Sequence, residues 1–226
     1  MINAGAWQQL HNECASKDIQ LVAVSKTKPA ADIEALYKLG QRDFGENYVQ
    51  ELVDKQGQLP KDINWHYIGH LQSNKVKYIA PFVHLIHAVD SFKLLIEINK
   101  QAQKNNRVID VLLQMHIADE ETKFGMDERD LVEFFQYYDA QKEQLQHVRI
   151  RGLMAMATNT DDETQVRTEF HRLHNTFKTF QSSEFLGKSY FDTCSIGMSS
   201  DYKIAIEEGG NMIRVGSLLF GERQYH

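Results

Sequence analysis

Cysteine is almost missing: Cys14 and Cys194 are the only two in the chain. They form neither a CxxC pair nor a spacing that gathers a metal ion, which excludes a disulfide scaffold and fits a reducing compartment. Proline is nearly as scarce, with three residues. No Gly/Ser-rich or single-sign charged stretch marks a linker, so one domain over residues 1–226 is expected. No apolar run approaches the ~20 residues of a membrane span. The N-terminal "MINAGAWQQLHNECASKD" lacks a basic stretch followed by an apolar one, so it is no secretory signal. A cytoplasmic protein with no membrane partner is expected. Acidic residues outnumber basic ones, 31 to 25, for a formal charge of −6. With no interleaving of basic and aromatic residues, a nucleic-acid partner is not expected. The fingerprints GxxxxGK[ST], GxGxxG and HExxH are all absent. Ten histidines are scattered, with His66, His70, His84 and His87 nearest to a cluster. They read as structural or solvated, and no metal is expected.

What the chain does have is alternation. Residues 1–17 read as an amphipathic helix with Trp7, Leu10 and Cys14 on one face. Eight strand-like runs follow: "IQLVAVS", "RDFGE", "NWHYIG", "VHLIHAVD", "VIDVLLQMHI", "VRIRGLMAMAT", "YFDTCSIGM" and "MIRVGSLLFG". Helical patterns separate them, including "AADIEALYKLG", ended by Gly40, the polar-faced "LQSNKVKYIAPF", and a segment capped by Ser91. Strict alternation implies parallel strands with helical crossovers. Eight such units predict a single (β/α)8 TIM-type barrel with an additional N-terminal helix.

In a barrel of this type the functional side chains lie at the C-terminal ends of the strands. Lys26 ends the first run, Asn47 follows the second, and Gly69 and His70 follow the third. Thr158 follows the sixth, "SIGMSSD" the seventh and "RVGS" the eighth. Asn47 could equally cap a helix, and Gly197 or Gly216 could serve a tight turn. The last two loops bring Gly197, Met198, Ser199, Ser200, Gly216 and Ser217 to strand–helix junctions, where backbone N–H groups can approach an anion. Barrels frequently hold phosphate there. The alternative is that Ser199 or Ser200 merely caps the helix. Val22, Val24 and Lys26 share one side of their strand, so inward-facing valines would aim Lys26 at the barrel mouth. A desolvated amine there is a nucleophile able to form a Schiff base with an aldehyde. Lys28 shares the parity, but Pro29 breaks the strand. Arg214 is either an interior ion pair with Glu207 or Glu222, or a donor to a ligand nitrogen. A phosphate site facing an amine that condenses with an aldehyde describes pyridoxal 5′-phosphate, PLP.

The segments "AVSKTKP", "FGENYVQE", "WHYIGHLQSNK", "GLMAMAT", "SIGMSSD" and "IRVGSLLFG" occur in that order over most of the chain. Together they resemble the pyridoxal phosphate homeostasis protein family. The resemblance implies a barrel similar to the N-terminal domain of alanine racemase, without that enzyme's C-terminal β-domain. It implies PLP held as a Schiff base by Lys26, phosphate contacts in the "SIGMSSD" and "GS" segments, cofactor-binding roles for Met198, Ser199, Gly216 and Ser217, and a ring-nitrogen contact from Arg214. Asn47 is expected in the same site. Ile196 stands where many members have methionine, an apolar swap that should leave the site unaltered. "DEETKFGM" resembles the family's corresponding loop and would bring Lys123 toward the mouth; a solvated lysine is the plainer reading.

Three functions compete. The first is a monomeric carrier of PLP in vitamin B6 homeostasis, with apo PLP-dependent enzymes as recipients. The second is a racemase-like enzyme, which needs an acid/base on each face of the cofactor. Lys26 supplies one, and the β-domain tyrosine of alanine racemase has no counterpart here. The third, an RNA-binding module, is disfavoured by the acidic balance.

Overall fold

Strand β1 (Gln20–Val24) pairs in parallel with both β2 (Asp43–Glu46) and β8 (Met212–Val215), and that double pairing closes the sheet. Between them run β3 (Asn64–Tyr67), β4 (Leu85–Val89), β5 (Ile109–Gln114), β6 (Val148–Met154) and β7 (Thr193–Ser195), in sequence order around a closed barrel. This computed structural model describes residues 2–120 and 124–221. Lys123 and Glu222 therefore lie outside the described residues. The predicted (β/α)8 barrel is present, each strand falling inside its expected run.

Helix α1 (Ala4–Ser16) precedes the barrel. It starts where the Asn3 side chain accepts the Ala6 N–H, three residues later than the spacing predicts. Its inner face buries Trp7, Leu10 and Cys14. Crossovers then follow as α2 (Ala30–Lys38), α3 (Val49–Gln58), α4 (Val76–Ile79), α5 (Phe92–Lys104), α6 (Glu128–Gln141), α7 (Glu163–Ser182) and α8 (Tyr202–Glu207), and α9 (Ser217–Phe220) follows the last strand. Ser91 caps α5, accepting the Leu94 N–H as expected. The "LQSNKVKYIAPF" segment is less helical than its pattern suggests: a 3₁₀ turn at Ser73–Lys75 leads into the single turn of α4. Among the described residues no helix is long and apolar enough to cross a membrane.

Two apolar cores result from side chains alternating along each strand. The larger lies between the barrel and its helices and includes Ala23, Phe44, Trp65 and Phe170. The smaller fills the barrel and comprises Val22, Leu85, Ala88, Leu112, Met154 and Met212. Val22 faces inward and Ala23 outward, the parity that aims the end of β1 at the mouth.

Gly152 shapes the far wall. Val111 pairs with Ile150 and Leu112 with Gly152, so Arg151 is an extra residue that bulges β6. Gly152 sits at φ +156°, and a Cβ there would lie 1.8 Å from the Thr193 carbonyl oxygen. Only glycine fits without parting β6 from β7. Gly152→Ala should therefore lower stability by roughly 3 kcal/mol or more in urea titrations, the range of a steric failure in a core. Gly57→Ala, in α3 with open space around it, should instead raise stability by up to ~1 kcal/mol.

Candidate functional site

Hydrogen bonding continues one residue past β1, where the Ser25 N–H donates to the Gly45 carbonyl at 3.0 Å. The chain then turns at Thr27, whose φ is +63°. The strand register thus breaks before Pro29, and Lys26 lies two residues beyond the last residue of β1. Its direction comes from the turn rather than from strand parity alone. A buried network fixes that turn from below. Lys55 Nζ donates to Glu46 Oε1 (2.7 Å), Glu51 Oε1 (2.6 Å) and the Ser25 carbonyl (2.8 Å). The Ser25 hydroxyl donates to Glu46 Oε1 at 2.6 Å, and the Thr27 N–H donates to Glu51 Oε1 at 2.6 Å. The backbone on each side of Lys26 is thereby held by α3. Burial pushes the Glu46 carboxyl up to about 7, against the opposing pull of Lys55 and the Ser25 hydroxyl.

The mouth of the barrel holds a cavity of about 300 Å³. Lys26, Asn47, Met198, Ser199, Arg214, Gly216 and Ser217 all line it, as do Lys28, Val24, Ile68, Met156 and Ser200. Every residue expected in the site is brought to this one cavity. Among the described residues that line it there are three cations and no carboxylate, histidine or tyrosine. Asn47 does not cap α3, whose preceding residue is Tyr48; its Oδ1 is buried without a hydrogen-bond partner. Gly69 makes room for it, since a Cβ there would lie 2.3 Å from the Asn47 carbonyl oxygen.

The two C-terminal loops are tied to each other. Gly197, at φ +93°, packs so closely on α8 that a Cβ would lie 2.6 Å from Ala205 Cβ. Neither Ser199 nor Ser200 caps α8; Asp201 occupies that position and accepts the Met198 N–H at 2.5 Å. The Ser199 hydroxyl instead accepts the Gly216 N–H at 3.2 Å, leaving its own hydrogen to donate into the cavity. Helix α9 begins at Ser217, so the N–H groups of Ser217 and Leu218 have no acceptor within the helix. Lys28 Nζ donates to the carbonyls of Phe220 (3.0 Å) and Gly221 (3.2 Å), fastening the β1 loop to the end of α9.

Arg214 closes the floor at 4% exposure. Its Nη1 donates to the Ser195 carbonyl (2.8 Å) and hydroxyl (2.7 Å), and its Nη2 to the Ala155 carbonyl (2.9 Å). Burial pushes its guanidinium down to about 10, opposed chiefly by the charge of Asp201. The interior ion pair with Glu207 does not form, because Glu207 pairs with Arg167 at 2.6 Å.

Comparison with known proteins places this geometry. The family model "Alanine racemase, N-terminal domain" matches residues 5–224. The pyridoxal phosphate homeostasis protein of Aquifex aeolicus is 40% identical over 207 residues, covering 91% of this chain and 88% of that one. Its Escherichia coli counterpart is 36% identical over 213 residues, 92% of this chain and 88% of that one. This chain belongs to the pyridoxal phosphate homeostasis protein family. A solved member, PipY of Synechococcus elongatus with PLP bound, superposes with a TM-score of 0.82 at 35% identity, covering 96% of this chain and 100% of that one. Alanine racemase of Bartonella henselae shares the fold, with a TM-score of 0.66 at 15% identity over 96% of this chain and 59% of its own.

Some residues singled out by position lie elsewhere. His70 stacks on Phe124 at 4.0 Å and lies 3.2 Å from Asp90. The Thr158 hydroxyl donates to Glu169 at 2.7 Å, on the wall of a neighbouring cavity. Met156 and Ile68 line the site and were not anticipated. Both follow strands already assigned, β6 and β3, and counting two residues past each strand end would have found Met156. Ile196 is fully buried, as its apolar exchange requires.

Glu46 supplies a pH test of the scaffold behind Lys26. Its folded-state pKa lies above the ordinary carboxylate value, so the native protein holds that proton more tightly than the unfolded chain. The corresponding stability is present at acid pH and lost as pH rises through about 7. Glu46→Gln cannot titrate, and urea midpoints measured between about pH 5 and 8 should fall less steeply than in the unaltered protein. Parallel slopes would remove Glu46 from the account.

Proposed function

We propose that this protein binds PLP in the barrel-mouth cavity, holds it covalently through Lys26, and acts as a carrier in PLP homeostasis rather than as a catalyst. The observation that carries the reading is the convergence of Lys26, Arg214, Ser199 and Ser217 on one cavity, in a family whose member PipY was solved with PLP bound. The cavity fits the group in its chemistry: its described lining carries three cations and the Ser199 and Ser217 hydroxyls, which suit an anionic ligand, and Asn47 Oδ1 is buried without a hydrogen-bond partner. When bound, PLP supplies an aldehyde that condenses with amines and a ring that can withdraw electrons.

Each wall then has a role. Lys26 Nζ would hold the aldehyde carbon. The Ser199 and Ser217 hydroxyls and the first N–H groups of α9 would hold the phosphate, with Gly216 keeping the approach open. Met156, Met198 and Ile68 would exclude water from the ring faces. Arg214 can only donate, so it would meet an unprotonated ring nitrogen and weaken the ring as an electron sink. Racemisation needs acid/base groups on both faces, and beside Lys26 the described lining offers only Lys28, whose Nζ is engaged with the Phe220 and Gly221 carbonyls. We read the protein as a monomer that passes PLP to apo-enzymes.

Borohydride trapping followed by peptide mapping should place the adduct on Lys26; an adduct on Lys28 alone would refute the assignment. Removing a hydrogen bond to a charged group costs ~1.5–3 kcal/mol, roughly ten- to a hundredfold in affinity. The double variant Ser199→Ala, Ser217→Ala should therefore weaken PLP far more than pyridoxal, whereas equal losses would put the phosphate elsewhere. Incubation with L-alanine or L-serine in deuterated water should show no α-carbon exchange by NMR above a Lys26→Ala control. Lys26-dependent exchange would favour a racemase-like enzyme instead.

A further inference from the structure

A bond between β4 and β7 of a closed eight-stranded barrel must cross its interior. One such contact joins His87 Nδ1 to Ser195 Oγ at 3.2 Å, and it lies within a longer chain. On one side Arg214 Nη1 donates to Ser195 Oγ at 2.7 Å. On the other, His87 Nε2 lies 2.9 Å from His66 Nδ1, and His66 Nε2 lies 2.9 Å from Asp43 Oδ1. His66, His87 and Ser195 are fully buried. Asp43, the first residue of β2, stands at the N-terminal rim with its side chain 19% exposed. The chain therefore runs from the rim opposite the cavity to the arginine on its floor.

Chemistry fixes the direction of the bonds at both ends of the chain, and a neutral His66 then fixes the bonds between them. A carboxylate only accepts and a guanidinium only donates. Facing Asp43, His66 Nε2 carries hydrogen, and in a neutral ring Nδ1 is then an acceptor. His87 Nε2–H fills it, which leaves His87 Nδ1 to accept the Ser195 hydroxyl hydrogen. The Ser195 oxygen in turn accepts from Arg214. Burial, the largest cause, holds His87 well below the usual histidine range, so the middle ring of the chain is neutral. Bonds aligned this way polarise one another. The hydrogen-bond acceptors of Arg214 are all uncharged; Asp201 opposes its burial only through space, and the chain adds a second carboxylate connected to it by hydrogen bonds. Asp43, His66 and His84 also hold ligand atoms within 4.8 Å of one another. Asp43 Oδ1 already receives Gln20 and Asn64 as well as His66, so hydrogen bonds satisfy that oxygen.

We infer that Asp43, His66, His87 and Ser195 are positioning residues, a one-directional hydrogen-bond relay that brings the negative charge of Asp43 inward to Arg214 and fixes its guanidinium toward the cavity. Only the consequence for a bound cofactor rests on the function proposed above; the relay itself does not.

NMR of the ¹⁵N-labelled protein without added cofactor tests the relay. At about pH 7 both His66 and His87 should be neutral Nε2–H tautomers, and the Arg214 Nη signals should be separately resolved because the group cannot rotate. Ser195→Ala should shift the Arg214 Nη1 signal, which loses its hydroxyl acceptor, and Ser195→Thr should restore it. A protonated His66, an Nδ1–H His87, or Arg214 signals indifferent to Ser195→Ala would overturn the relay. In PLP-loaded protein, Asp43→Asn should shift the visible absorbance maximum while the Kd for inorganic phosphate stays within about twofold. An unmoved maximum would overturn the link to the site. Failure of the unaltered protein to bind PLP would sink the proposed function, and the cofactor-free NMR would still decide the relay.

Discussion

The pairing of the first strand with the last is the constraint on which this site depends. Register places Val22 beside Arg214 and Ala23 beside Val215. Lys26 and the Gly216–Ser217 turn, nearly two hundred residues apart in sequence, therefore emerge side by side at the same rim. Without closure the lysine and the Gly216–Ser217 turn would occupy opposite edges of an open sheet. Lys28 reinforces the seam by bonding to the end of α9, and α1 adds to it where the Asn3 N–H donates to the Leu219 carbonyl.

Closure also concentrates positive charge. Lys26, Lys28 and Arg214 share a cavity whose described lining holds no carboxylate. The protein stabilises this arrangement indirectly. Carboxylates are set one layer back, with Glu46 and Glu51 gripping Lys55 beneath the Lys26 turn. Asp43 stands at the far end of the barrel, connected to Arg214 through two histidines and a serine. An anion entering the cavity meets a described lining whose charged side chains are all cationic.

The fold was legible because alternating β-branched runs and helical periods are local signals, and eight of them permit few arrangements. The candidate site was legible for a related reason: once a barrel is assigned, strand ends identify one rim, which brought out Lys26, Asn47, Ser199, Arg214 and Ser217, all lining the mouth cavity. Non-local geometry was not legible. That Thr27 rather than Pro29 turns the chain depends on Glu51 accepting its N–H from another helix. The exchange of Ser199 from helix cap to partner of Gly216 depends on a contact between two loops. The histidines that looked merely scattered, His66 and His87, align only because a barrel brings β3, β4 and β7 around one axis. Periodicity carries no trace of bonds made across that axis.

Crystallography of the protein soaked with PLP tests the central claim most directly. The account predicts density continuous with Lys26 Nζ, the phosphate between Ser199 and Ser217, and the ring nitrogen within hydrogen-bond reach of Arg214. Density joined to another lysine, or a phosphate outside the Ser199–Ser217 turn pair, would contradict it.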